Sequence, residues 1–146
     1  MPPTQPAVPD EGPGFVVAAV VLWDAAGRVL CVRKRGTETF MLPGGKIEPG
    51  ESSDVTAVRE IAEELGLVLD RAQLLLVGCF VTDAANEPGH WVRADVYAYP
   101  HAVAGERVAA EIDAARWVDP QHPDPHLAPL SLLVFPALQG WTPARG

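Results

Sequence analysis

The sequence is short of cysteine, of positive charge and of long apolar runs. Its two cysteines, Cys31 and Cys79, each sit in an apolar stretch that reads as a strand. Buried free thiols are therefore expected, rather than a disulfide framework or a nucleophile. Eleven Lys and Arg stand against nineteen Asp and Glu, a formal net charge of −8. So acidic a chain argues against broad binding to nucleic acid or to anionic membranes, which need a basic surface. It leaves room for a small phosphate ligand, because a bound cation reverses the local field. No apolar run is long enough to span a bilayer. The first residues also lack the basic start and continuous apolar core of a secretory leader. Together these features point to a cytoplasmic protein.

What is present suits a globular domain. The 146 residues are 48% hydrophobic and 21% charged, enough for one proper core. Residues 1–14 are rich in Pro and poor in large apolar side chains, and are expected to form a mobile tail. Residues 15–140 are expected to form a single domain. Residues 15–23 are apolar on both faces and read as a central strand. Asp24 to Gly27 is a turn, and residues 28–34 return as its hairpin partner. At that strand's end Arg33 and Arg35 share one face, with Lys34 on the other. A short strand at residues 40–42 leads to Pro43, Gly44 and Gly45. Residues 73–82 and 90–99 are further strands. In the second, Trp91, Arg93, Asp95 and Tyr97 alternate with Val92, Ala94, Val96 and Ala98, a half-buried pattern. A short strand at residues 115–118 follows. Residues 126–138 suggest a last helix, with Pro129 tolerated in its first turn and Pro136 weakening its end.

The chain is organised around residues 45–67, GKIEPGESSDVTAVREIAEELGL. The first part is a loop punctuated by Gly and Pro. The second predicts an amphipathic helix over residues 53–65. Ser52 or Ser53 is placed to accept a bond from a free N–H at its start, and Gly66 to end it in a left-handed turn. Val55, Val58, Ile61, Ala62 and Leu65 fall on one side. Glu60, Glu63 and Glu64 fall opposite, as helical neighbours. Three crowded carboxylates repel one another. One reading is a solvated acidic face; the other is a site for a hard divalent cation such as Mg²⁺ or Mn²⁺, which prefers carboxylate oxygen. Gly44 and Gly45 let the backbone approach a ligand closely. Arg59 offers a guanidinium fork that can hold a carboxylate such as Glu51.

The pattern Gly45, Glu51, Arg59-Glu60-Ile61, Glu63-Glu64, Gly66-Leu67 resembles the signature box of the Nudix (MutT-like) hydrolases at every specified position. Its seven fixed identities would coincide by chance in about one window in 10⁸. The resemblance implies an α/β fold, an α/β/α sandwich with a mixed sheet and the box loop-helix. It implies hydrolysis of a nucleoside diphosphate linked to a further moiety, with Mg²⁺ as cofactor and Mn²⁺ as substitute. By position, Glu60 and Glu64 would be core metal ligands, Glu63 a further ligand, and Gly44 would offer its carbonyl. Arg59 and Glu51 would orient the set. The general base would be Glu60 or a glutamate on a later loop: Glu111, also a metal candidate, with Glu106 and Glu87 behind it.

The partner is expected to be a nucleotide or another nucleoside-diphosphate-linked small molecule, and a homodimer is compatible with the family. Among Arg33, Lys34 and Arg35 one is a candidate for phosphate contact, the alternative being a charged strand end at the surface, and Lys46 is a second candidate. Phe40 and Trp91, with Tyr97 and Trp117, are candidates to stack a base; for each the alternative is ordinary packing. Marks of the ADP-ribose, diadenosine-polyphosphate and coenzyme A subfamilies are not found outside the box. That favours a MutT-like nucleoside triphosphate pyrophosphohydrolase releasing a monophosphate and pyrophosphate. No asparagine lies between His122 and Leu130, where 8-oxoguanine-specific members carry one. An ADP-ribose or nucleotide-sugar pyrophosphatase, a non-catalytic nucleotide or metal sensor, and an acidic protein-binding domain stay open as alternatives.

Overall fold

The computed structural model of the chain describes residues 12–84, 87–103, 112–123 and 126–141, with Ile112 and Asp113 described in backbone only. Most of the expected tail, and the loop residues Asn86, Glu106 and Glu111, lie outside the described residues.

Strand β1 (Gly14–Val21) is the spine of the fold. Both of its edges are taken. Strand β3 (Gly44–Lys46) runs antiparallel along one edge, and β5 (Trp91–Ala98) runs parallel along the other. Strand β4 (Leu75–Asp83) pairs antiparallel with β5, giving the mixed order β3-β1-β5-β4. Strands β2 (Val29–Lys34) and β6 (Ile112–Val118) form a second, antiparallel pair.

Alternation along β1 builds two cores. Ala18, Val20 and Leu22 pack with Ala57, Ile61 and Leu65 of helix α1 (Ser53–Leu65). Ala19, Val21 and Trp23 pack on the other face with Val134 and Phe135 of helix α2 (Pro129–Ala137). The result is an α/β/α sandwich around a mixed sheet. Burial of a side chain such as Ile61, fully enclosed here, contributes about 1.5–3 kcal/mol. Helix α2 is tied to the segment before β3: Leu42 N–H donates to Ser131 Oγ (3.2 Å) and Ala128 N–H to Phe40 O (2.9 Å).

Several expectations change. The turn after β1 forms, because Asp24 Oδ1 accepts from Ala26 and Arg28 N–H and Gly27 takes a positive φ of 79°. Yet β2 is not a hairpin partner of β1. Since β3 and β5 occupy both edges of β1, backbone pairing between the two segments is limited, among the described residues, to the bridge at Trp23–Val29, and β2 turns to β6. Residues 40–42 contribute one bridge, Met41 to Val32, and the strand forms at Gly44–Lys46 instead. Residues Arg71–Gln73 are a 3₁₀ turn, so β4 begins after them. The strand expected at residues 115–118 is longer, Ile112–Val118, because it finds β2 as a ladder partner. The alternation expected across β5 holds: Val92, Ala94, Val96 and Ala98 are buried and their neighbours half-buried.

Candidate active site

Helix α1 starts and stops as its sequence dictates, with one change at the start. Gly66 closes it at φ 69°, its N–H bonded to Ala62 O. Ser52 occupies the capping position but does not accept from the helix; its hydroxyl donates to Asp54 Oδ1. Ser53 Oγ meets Tyr97 OH at 2.7 Å, fixing the first turn to β5. The buried face carries Thr56, Ala57, Ile61, Glu64 and Leu65, while Ala62 is exposed. Glu64 therefore does not lie opposite the packed face. It is part of it, and only 3% exposed.

The reason is the outer edge of β3. Val20 N–H donates to Pro43 O and Ile47 N–H to Val16 O, so residues 43, 45 and 47 aim their backbone groups at β1. In an antiparallel ladder the residues between them aim outward. Gly44 and Lys46 thus present unpaired backbone groups on the side where α1 lies. Gly44 N–H donates to Glu64 Oε2 at 3.3 Å, and Lys46 O accepts from Arg59 Nη2 at 3.2 Å. Side chains of α1 satisfy a strand edge that would otherwise be open. By the same ladder rule the Gly44 carbonyl lies on the outer side of β3. A Cβ on Gly45 would lie 2.3 Å from Glu60 Cδ, so the missing side chain is what admits that carboxylate.

Arg59 organises the remaining acids. It bonds Glu51 twice, Glu60 Oε1 at 2.9 Å and Glu63 Oε2 at 3.5 Å. These bonds, with the Glu48 N–H donated to Glu51, hold the Glu51 carboxyl down at about 2. The same contacts push the Arg59 guanidinium up. Glu60 is 15% exposed and Glu63 59%. Among the described residues no three Asp, Glu, His or Cys side chains already converge on one point. Even so, the donor set fits a hard cation: one buried carboxylate, one half-buried, one exposed, and a carbonyl on the same side.

A cavity of about 270 Å³ lies against this edge. Phe15, Val17, Met41, Val92 and Leu130 give it apolar walls, and Lys34, Lys46, Gly44 and Gly45 line it as well. Lys46 Nζ stands 4.0 Å from the Phe15 ring centroid, and His90 stacks on Phe15 at 5.3 Å. Of the residues named from sequence for substrate contact, Lys46 lines this cavity. Arg33 is not among the cavity residues; its guanidinium lies 5.6 Å from the Phe40 ring, with Arg116 at 4.6 Å from the same ring. Arg35 sits in the exposed turn after β2. Trp91 lies on the face of β5 away from Val92, over Gly14, and its indole N–H donates to Gly12 O. Phe15 was not singled out by sequence, and Lys34 only as one of three charged residues at the end of β2. Phe15 opens an all-apolar strand and gives no local signal. Lys34 was separable from Arg33 by alternation, but the face it joins is set by packing. Cys31 is buried, and burial raises its thiol to about 12, so it is no nucleophile at neutral pH.

A sequence model of the NUDIX domain matches residues 13–136. The chain belongs to the Nudix family. Its Nudix box is thus the loop and helix just described. A MutT-like protein of Streptomyces ambofaciens is 27% identical over 128 residues, covering 87% of this chain and 78% of that protein. An RNA pyrophosphohydrolase of Dinoroseobacter shibae is 40% identical over 58 residues, 38% of this chain and 36% of that protein. That match spans about a third of the relative. A MutT NUDIX hydrolase of Burkholderia pseudomallei shares the Nudix fold, with a TM-score of 0.71, 24% identity and coverage of 86% of this chain and 98% of that one.

Proposed function

We propose that the chain is a divalent-metal pyrophosphohydrolase of the MutT-like kind, cleaving a nucleoside triphosphate to a monophosphate and pyrophosphate. The observation that carries this reading is the adjacency of two features. Glu64 and Arg59 grip the outer edge of β3, Arg59 gathers Glu60 and Glu63 beside it, and an apolar cavity lined by two lysines opens beside the same glycines. Charge for phosphate and space for a base thus lie side by side.

Glu60 and Glu64 would hold Mg²⁺ or Mn²⁺, with Glu63 and the Gly44 carbonyl completing the donors. Such an ion lowers the pKa of water and offsets charge on the departing phosphate. The chain's own groups do the rest. Arg59, braced by Glu51, fixes the carboxylates. Lys46 meets phosphate from the cavity wall; Arg33, beside the Phe40 ring, and Arg35, in the exposed turn, are not assigned a phosphate contact. Phe15 gives the base an apolar wall in the cavity, the role expected from sequence for Phe40 and Trp91. Glu60, or Glu111 beyond the described residues, takes the proton of the attacking water. The free thiols fit a cytoplasmic location.

The test is chromatographic detection of the cleaved products, whether nucleoside monophosphate, pyrophosphate or another phosphomonoester, from a panel with Mg²⁺, with Mn²⁺ and with EDTA. The panel holds common and oxidised nucleoside triphosphates, ADP-ribose, nucleotide sugars, dinucleotide polyphosphates, coenzyme A and triphosphate-ended RNA. Metal-dependent turnover of a nucleoside triphosphate supports the proposal. Turnover of another class alone replaces the substrate. Silence throughout, while Mg²⁺ raises Tm, favours a sensor.

A further inference from the structure

Lys34 is the last residue of β2 and shares a face with Leu30 and Val32, which pack in the core beneath α1. Alternation therefore carries its side chain toward α1, and its Nζ lies 3.9 Å from Glu64 Oε1. Glu64 is the most enclosed of the box carboxylates. A carboxylate so buried needs compensating charge or hydrogen bonds. Arg59 is engaged with Glu51, Glu60 and Glu63, and Lys34 brings an ammonium to Glu64. The lysine side chain keeps 37% exposure and lines the cavity. Its flexible stem can bring the ammonium to a new partner there.

We propose that Lys34 is a positioning residue that couples metal binding to substrate binding. It neutralises Glu64 in the empty protein and moves to substrate phosphate when a cation takes its place. This rests on the reading that Glu64 is a metal ligand. A divalent ion on Glu64 and an ammonium within about 4 Å repel. In the empty protein Lys34 therefore competes with the metal. A polyphosphate in the cavity gives the ammonium a partner away from Glu64, and the competition ends. By linkage, metal and substrate each raise the other's affinity, and Lys34 enlarges the factor.

The experiment is calorimetric titration of Mn²⁺ into the full chain, alone and with a non-hydrolysable methylene analogue of a nucleoside triphosphate. Wild type, Lys34→Met, Lys34→Gln and Lys34→Arg are compared, with Glu64→Gln as control. Loss of the charge in Met or Gln should tighten Mn²⁺ binding to the empty protein by about 5- to 50-fold, and shrink the gain given by the analogue by a similar factor. Arg should restore wild-type behaviour. The Gln variant keeps a hydrogen-bond donor toward Glu64, so one neutral variant remains if Met fails to fold. Unchanged or weaker Mn²⁺ binding in the neutral variants overturns the role of Lys34, while loss of binding in Glu64→Gln leaves the metal reading intact. No Mn²⁺ binding in wild type overturns both.

Discussion

Arg59 holds Glu51 in a two-pronged grip: Nε lies 2.7 Å from Oε2 and Nη2 lies 2.8 Å from Oε1. The two residues come from the helix and from the loop before it. Their pairing leaves Nη1 free for Glu60 and Glu63 and brings Nη2 within reach of Lys46 O. One guanidinium thus ties loop, helix and strand edge together. It also offsets the repulsion among glutamates on successive turns.

Arg59→Lys keeps the charge and loses the fork. Because it acts on the glutamates from behind, the expected loss is about 10- to 100-fold in metal affinity or kcat/KM. Mn²⁺ titration and steady-state rates check this. Wild-type values in both would remove Arg59 from the machinery.

Gly44→Ala and Gly45→Ala should fail differently. At Gly44 a Cβ would lie 2.1 Å from Ala18 O and 2.7 Å from Ala19 Cα, both backbone atoms of the central strand. Neither can yield cheaply, so a stability loss of about 3 kcal/mol is expected. At Gly45 the Cβ meets the Glu60 carboxylate, which can swing away. The fold should hold, with Tm within about 4 °C of the parent, while activity falls on the order of 10²-fold. Thermal melts and rates on both variants separate the two cases, and equal melting losses would contradict the geometry.

Glu60→Gln and Glu64→Gln preserve shape and remove charge. Each is expected to lower kcat by on the order of 10²–10⁴ with the fold retained. Circular dichroism and turnover are the measurements. Near-normal turnover in both would end the assignment.

Acid should loosen the Arg59–Glu51 pair late. The Glu51 carboxyl sits at about 2 in the folded chain against an ordinary 4.5. A folded-state value below the unfolded one contributes stability that is complete above pH 4.5 and lost as pH falls toward 2. The stability gap between wild type and Glu51→Gln should therefore narrow across that window. Urea titrations at stepped pH measure it. A gap that stays constant would mean the pairing does not set the Glu51 titration.

The box was legible because its chemistry is local. Glu51, Arg59, Glu60 and Glu63 sit on one loop and one helix, so spacing along the chain is spacing in space. Helix limits at Ser53 and Leu65 and the stop at Gly66 followed from the same short-range rules. The buried face of that helix was not legible. Periodicity placed Glu64 with the exposed acids, but the outer edge of β3 offers the Gly44 N–H and draws it in. Likewise, nothing near residue 34 announces that Lys34 will meet Glu64. Turns and alternation are short-range and were read correctly at Asp24 and along β5. Strand partners are set by segments far apart in sequence: β1 lies beside β5, and β2 beside β6. The sequence by itself determined the box helix, its acids and the family. Only the tertiary structure decided which carboxylate is buried, which lysine answers it and where the cavity lies, because those depend on which edges and faces remain open once the sheet has assembled.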